Sequence, residues 1–108
     1  MAREKFQTLT EQMFYILLAL REECCGVDIM ERVRTTTANR VVIGPGTLYT
    51  LLDEFCSCGW IRETRVEGRR RSYQITTRGK NRLEEEYQRL LRQAADYREA
   101  TMKGGDTP

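Results

Sequence analysis

Three consecutive arginines, Arg69–Arg71, follow Gly68, and their type and spacing suggest binding chemistry. Glycine favours a turn, so the three guanidinium groups are predicted to project from the tip of a hairpin. Guanidinium groups bind phosphate through paired N–H donors, and arginines at such a tip suit the backbone or the narrow groove of DNA. A solvated charged loop is the alternative. The absence of compensating acidic residues beside the tip favours the DNA contact.

The net charge of +2 hides an uneven distribution of charged residues. Residues 1–54 contain six Lys or Arg and eight Asp or Glu, whereas residues 55–108 contain twelve and eight. Between Arg62 and Arg82 there are eight basic residues and two acidic ones. The excess positive charge is therefore concentrated near the arginine run, as expected for a localised phosphate-binding surface.

A second candidate is the segment that follows Gly44-Pro45-Gly46, where a helix is predicted from Thr47 to Gly59. Apolar residues recur three and four positions apart on one face of this helix. The opposite face is polar. A helix fits the major groove of DNA, and the residues near its N-terminus reach the base edges. The candidate DNA contacts are Thr47, Tyr49 and Thr50, and the alternative is an ordinary polar surface.

The composition argues against an enzyme and against a bound cofactor. The chain has no His, which excludes Ser–His and Cys–His catalysis and His-containing zinc sites. Gly44-Pro45-Gly46-Thr47 lacks the Gly-Lys-Ser/Thr ending of a P-loop. No catalytic residue and no metal site are predicted.

The four cysteines form two close pairs, which are Cys24 with Cys25 and Cys56 with Cys58. Neither pair has the spacing of a structural zinc site. Cys56 continues the partly buried side of its predicted helix, where a thiol behaves as a small hydrophobe. Structural thiols are therefore favoured, and metal or thiol sensing is the alternative.

The periodicity predicts a mainly α-helical fold with a small β-hairpin. A first helix is expected to begin at a capping box of Thr8 and Glu11 and to end at about Glu22. A second helix is expected to begin at about Val27 and to end at the threonines at 35–37, with Val27 buried. Residues 24–26 form a break between them. Strands are expected at 60–66 and 71–76, and a long helix at 77–102. This order predicts a winged helix-turn-helix DNA-binding domain over residues 1–76, a C-terminal helix over 77–102 and a flexible tail over 103–108.

The last helix carries apolar residues at alternating steps of four and three, which is the pattern of a helix–helix seam. The seam residues are Leu83, Tyr87, Leu90, Ala94 and Tyr97. A helix this long exceeds what a small core covers, so the seam is predicted to form a dimer interface. Folding back onto the same domain is the alternative. A third kind of protein, an interaction module that uses a winged helix without nucleic acid, also remains open.

The longest apolar run, Met13–Leu20, has eight residues and is too short to span a bilayer. No cleavable signal is visible, so a cytoplasmic protein without membrane contact is expected, with free thiols. At 108 residues the chain is expected to form one domain.

Five segments together resemble the PadR family of bacterial transcriptional regulators, over roughly residues 8–90. They are Leu9-Thr10, Gly26-Val27-Asp28-Ile29, Gly44-Pro45-Gly46-Thr47-Leu48-Tyr49, Gly59-Trp60-Ile61, and Gly68-Arg69-Arg70-Arg71-Ser72-Tyr73 leading to Ile75-Thr76 and Gly79. The combination of Pro-Gly-Thr-Leu-Tyr with the arginine-rich wing is specific.

The resemblance implies a homodimeric winged-helix repressor that binds double-stranded DNA and controls genes for stress or detoxification functions. A small molecule often relieves the repression. It places Thr47, Tyr49 and Thr50 on the recognition helix and Arg69–Arg71 on the wing. It also implies dimerisation through the single C-terminal helix, as in the smaller branch of the family.

Two residues depart from the family pattern. Val27 stands where the family usually has Tyr, which is expected to alter the packing beneath the second helix. Some small members stack flat aromatic ligands on a Trp in the dimer pore. The last helix of this chain has no Trp and offers only Tyr87 and Tyr97.

Overall fold

The computed structural model describes residues 8–102, which form four helices and three strands. In chain order these are α1 (Glu11–Ala19), β1 (Cys24–Cys25), α2 (Gly26–Thr36), α3 (Pro45–Cys58), β2 (Ile61–Glu67), β3 (Arg70–Ile75) and α4 (Thr77–Met102). The predicted tail at 103–108 lies outside the described residues. No helix between residues 8 and 102 is long and apolar enough to cross a membrane.

Helix α1 begins and ends at different residues from those predicted. Its N-cap is Thr10, whose Oγ1 accepts a hydrogen bond from the Met13 N–H at 3.1 Å, so the predicted box of Thr8 and Glu11 was wrong. The helix ends at Ala19 and not at Glu22. The chain must leave the helix there because the Leu20 carbonyl accepts the Ile75 N–H at 2.9 Å, which ties this point to β3.

The three strands form an antiparallel sheet in the order β1-β3-β2. The break predicted at residues 24–26 does separate α1 from α2, although Gly26 already belongs to α2, but the strand within it was not predicted, since Cys24 and Cys25 pair with Tyr73 and Ser72 of β3. The hairpin of β2 and β3 was predicted correctly to within one residue at each end. The sheet therefore connects the N-terminal helices to the hairpin.

Helix α3 begins at Pro45, two residues before the predicted start. Proline is suited to the first position of a helix, where no N–H partner is needed. The end at Gly59 is confirmed, and Gly59 has the left-handed φ of 77° that is typical of a helix C-cap.

The core of the described region lies between α1, α2, α3, the sheet and the start of α4. Its fully buried large side chains are Ile16, Leu17, Leu20, Ile29, Val33, Leu48, Leu52, Phe55 and Trp60. Val27 was expected among them but is 65% exposed. Since α2 turns Ile29 and Val33 inward, Val27 in the first turn faces outward and does not pack beneath the helix.

The first half of α4 is fixed to the core, and its bounds match the prediction. A Cβ on Gly79 would lie 2.0 Å from the carbonyl oxygen of Trp60, so the helix approaches that backbone closely. The guanidinium of Arg82 lies 5.6 Å from the ring centre of Trp60. Glu86 is buried, forms an ion pair with Arg89 and accepts a hydrogen bond from the backbone N–H of Leu9. The second half of α4, beyond these contacts, is largely exposed.

Candidate nucleic-acid interface

Helix α3 is anchored by its apolar face and leaves a polar face free. Leu48, Leu52 and Phe55 are fully buried, whereas Thr47 and Thr50 are exposed. The first turn contains no acidic residue, and Gly44 supplies no side-chain cap. The first N–H groups of the helix therefore remain available to an anion, as at many phosphate-binding helix ends.

Tyr49 lies on the same face but is not wholly free. The residue is 43% exposed, while its phenol group packs against Gly26 at the start of α2. Sequence reasoning identified its exposure and missed this contact, because Gly26 is distant along the chain.

The three wing arginines have different surroundings. The turn between β2 and β3 is made by Gly68, with φ of 63°, and Arg69. Within residues 8–102, Arg69 and Arg70 have no ion-pair partner. Arg71 forms an ion pair with Glu63 at 3.2 Å. A hydrogen bond to the Tyr73 hydroxyl, together with Glu63, raises the pKa of Arg71 above its ordinary value.

The predicted absence of compensating acids near the wing was therefore wrong for part of the hairpin. Besides Arg71, Arg65 lies 3.4 Å from Glu67 and 3.9 Å from Glu23. At the tip, Arg69 and Arg70 form no ion pair with the described residues, although Glu67 is the cross-strand neighbour of Arg70 and is itself paired with Arg65. The two tip arginines are exposed and suited to an external phosphate.

The base of the wing lies beside the exposed face of α3. Partial desolvation raises the pKa of the Cys56 thiol of α3, Asp53 and Glu63 add to the rise, and Arg71 opposes it. These charges act on one thiol because β2, β3 and the second half of α3 are neighbours. Helix α3 and the wing are therefore neighbouring elements of the fold.

Two of the cysteine thiols, Cys24 and Cys56, have pKa values above the ordinary value of a thiol. Burial raises the pKa of the Cys24 thiol to about 11. Cys56 is exposed, so its expected place on the buried side was wrong, but its pKa is also raised. None of the four cysteines, all of which lie within residues 8–102, is in a disulfide bond. In the described part of the chain, no three residues of His, Cys, Asp or Glu are placed to hold a metal ion.

The predicted seam on α4 divides into a buried and an exposed part. Leu83 is 8% exposed and belongs to the core of its own chain. Tyr87, Leu90, Ala94 and Tyr97 are exposed along one side of the helix. Leu91, which was missed, is 46% exposed and lies one turn from Tyr87. Its spacing of four residues from Tyr87 is the signal that identifies it.

The exposed apolar strip continues into grooves between α1 and α4. One groove of about 360 Å³ is lined by Phe14 and Leu18 of α1, by Leu83 and Tyr87 of α4, and by the charged residues Arg21, Lys80 and Glu84. A second, of about 290 Å³, is lined by Leu9, Phe14, Tyr15 and Leu90, among others.

Solved structures share this arrangement of helices and hairpin. A transcriptional regulator from Clostridium thermocellum is 24% identical, with a TM-score of 0.64 over 78% of this chain and 87% of the other. RosR from H. salinarum is 22% identical, with a TM-score of 0.68 over 81% and 78%. The circadian clock associated protein Pex from Anabaena is 20% identical, with a TM-score of 0.53 over 79% and 76%. At these identities the likeness shows the fold, which is that of a winged-helix protein.

The family follows from the sequence match. Residues 16–85 match the model of the Transcriptional regulator PadR-like family, so the chain belongs to that family. It is a transcriptional regulator and not an enzyme. No functionally curated protein matches the chain.

Proposed function

We propose that the protein is a homodimeric, cytoplasmic repressor that binds double-stranded DNA in a sequence-specific manner and is released by a small molecule. The observation that carries the DNA contact is that two features suited to phosphate lie on neighbouring elements, α3 and the hairpin. One is the uncapped N-terminus of α3, and the other is the wing tip with Arg69 and Arg70. Phosphate contacts position such a protein, and base contacts give specificity.

The proposed roles follow from exposure and charge. Thr47 and Thr50, in the first turns of α3, donate hydrogen bonds to base edges or phosphates, and their methyl groups can contact thymine. Arg69 and Arg70 bind backbone phosphates. Arg71 contributes less, because Glu63 already compensates part of its charge.

The dimer is proposed to form through the helix at residues 77–102, which extends from the winged-helix unit at residues 1–76. The exposed strip of Tyr87, Leu90, Ala94 and Tyr97 supports this, because a large apolar surface on an isolated chain is a typical interaction site. A two-fold dimer presents two α3 helices to successive turns of DNA.

Release by a small molecule is supported by the groove lined by Phe14, Leu18 and Tyr87. The groove adjoins the proposed dimer helix, so an apolar effector seated there would alter the spacing of the two α3 helices. Such an effector would have to bind more tightly to one spacing of the two helices than to the other in order to shift the equilibrium between DNA-bound and released protein.

The experiment is to select bound fragments from the source genome with purified protein and to sequence them. We expect an enriched inverted repeat whose half-sites lie about 10 base pairs apart, or a multiple of that distance. Thr50→Ala is expected to weaken binding to the selected site about tenfold and to leave binding to a scrambled site unchanged. Arg92→Ala, on the far half of α4, is the control.

Transcription from promoters next to the selected sites is expected to rise when the gene is deleted, which is the mark of a repressor. Enrichment of no sequence, with no salt-dependent affinity for any DNA, would instead favour a winged-helix module for protein interaction. Unchanged DNA binding after alkylation of the thiols is expected. A loss of binding would favour thiol sensing.

A further inference from the structure

The phenol ring of Tyr49 lies directly over the backbone of Gly26. A Cβ built on Gly26 would lie 2.1 Å from the Tyr49 hydroxyl oxygen, 2.8 Å from Cζ and 3.2 Å from Cε1. The residue at position 26 must therefore lack a side chain for the ring to occupy this place. Gly26 is itself buried.

Gly26 is required for space and not for an unusual backbone conformation. Its φ is not in the left-handed region, in contrast to Gly59 and Gly68. Gly44 and Gly46, which also lie near the start of α3, have open space where a Cβ would be. The close approach at Gly26 is thus a specific contact between α2 and α3.

Leu48 and Leu52 are fully buried and hold the apolar face of α3 to the core, whereas Tyr49 is 43% exposed. The Tyr49 ring therefore contacts the first residue of α2 from a different side of α3. A contact on a second side of a helix restricts rotation of the helix about its own axis. It thereby fixes the angle at which α3 meets a partner.

We infer that Tyr49 is a positioning residue that sets the orientation of α3 against α2, and that its hydroxyl is not a DNA contact. The inference rests on the proposed function and refines it, since Tyr49 was first assigned to the DNA-contacting set. A rotated α3 misplaces the side chains that contact bases, whereas phosphate contacts tolerate small movements. Specific affinity is therefore the quantity that depends on Tyr49.

Four variants separate the two roles: Tyr49→Phe, Tyr49→Ala, Gly26→Ala and the double variant Gly26→Ala/Tyr49→Ala. Fluorescence anisotropy gives the affinity of each for the selected site and for a scrambled duplex, and urea unfolding confirms that each is folded. Tyr49→Phe keeps the ring and is expected to bind within about twofold of the natural protein. Tyr49→Ala and Gly26→Ala are each expected to bind the selected site about tenfold more weakly, with scrambled DNA affected little.

The double variant is the matched control for Gly26→Ala. Once the ring is absent, the added methyl group displaces nothing, so the double variant is expected to bind like Tyr49→Ala. If the double variant instead loses affinity by the product of the two single-variant factors, the inference is overturned. A tenfold loss of affinity in Tyr49→Phe would overturn it as well. Equal losses for selected and scrambled DNA would assign Tyr49 a general structural role and would also overturn it. Absence of salt-dependent DNA binding by the natural protein would reject the proposed function, and this inference with it.

Discussion

Truncation of Leu91 to alanine is expected to weaken the proposed dimer by a measurable amount. Full burial of a leucine side chain stabilises by about 1.5–3 kcal/mol, and Leu91 retains 46% of its exposure in the single chain. Burying the remaining exposed part of Leu91 in the dimer interface therefore stabilises the dimer by about 1 kcal/mol per chain. The residue occurs twice in a two-fold interface, so the loss is about 2 kcal/mol per dimer, or about 30-fold in the dissociation constant.

Analytical ultracentrifugation over a series of protein concentrations measures this constant directly. Val66→Ala is the matched control, because Val66 is also an exposed apolar residue, at 56%, but lies on the hairpin. Its dissociation constant is expected to equal that of the natural protein. A natural protein that stays monomeric at micromolar concentration would refute the reasoning, and so would equal constants for Leu91→Ala and the control.

Two further predictions concern the attachment of α4 to the core. Gly79→Ala places a methyl group against the Trp60 carbonyl, which cannot rotate away, so the free energy of unfolding in urea is expected to fall by about 1–3 kcal/mol. Gly46→Ala is the control, because the space there is open and no loss of stability is expected. Equal free energies of unfolding for the two variants would contradict the packing of Gly79 on Trp60. Arg89 and the Leu9 N–H lower the pKa of Glu86, so its contribution to stability is present at neutral pH and is lost as the pH falls through the folded-state pKa. Glu86→Gln is therefore expected to be less stable than the natural protein at pH 7 and to lose less stability between pH 6 and pH 3. Parallel curves of unfolding free energy against pH for the two proteins would exclude this role of Glu86.

Local signals in the sequence predicted the elements that local chemistry determines. The end of α3 was predictable because Gly59 tolerates a left-handed φ, and the bounds of α4 followed from a long amphipathic pattern. The strand of Cys24 and Cys25 was not predictable in the same way. Two residues show no alternation, and their partner in β3 lies almost fifty residues further along the chain.

The candidate site was predictable in residue type and less so in environment. The wing arginines were identified from Gly68 and their own sequence, but the pairing of Arg71 with Glu63 depends on the register of β2 against β3. The burial of Leu83 likewise depends on where α4 docks on the core. Long-range packing decided which of the predicted residues remain available to a partner.

The central claim is that Arg69 and Arg70 at the wing tip bind DNA phosphates. The most direct test is the logarithmic dependence of DNA affinity on salt for the natural protein and for Arg69→Gln/Arg70→Gln. Each phosphate contact contributes a slope of about −0.9, so two arginines in each chain of a dimer account for about −3.6. The control Arg21→Gln/Arg92→Gln removes the same charge at exposed positions away from the wing.

We predict a steep slope for the natural protein and the control, and a slope shallower by about 3.6 for the wing variant. A slope that is the same in all three proteins, or near zero in the natural protein, would contradict the account.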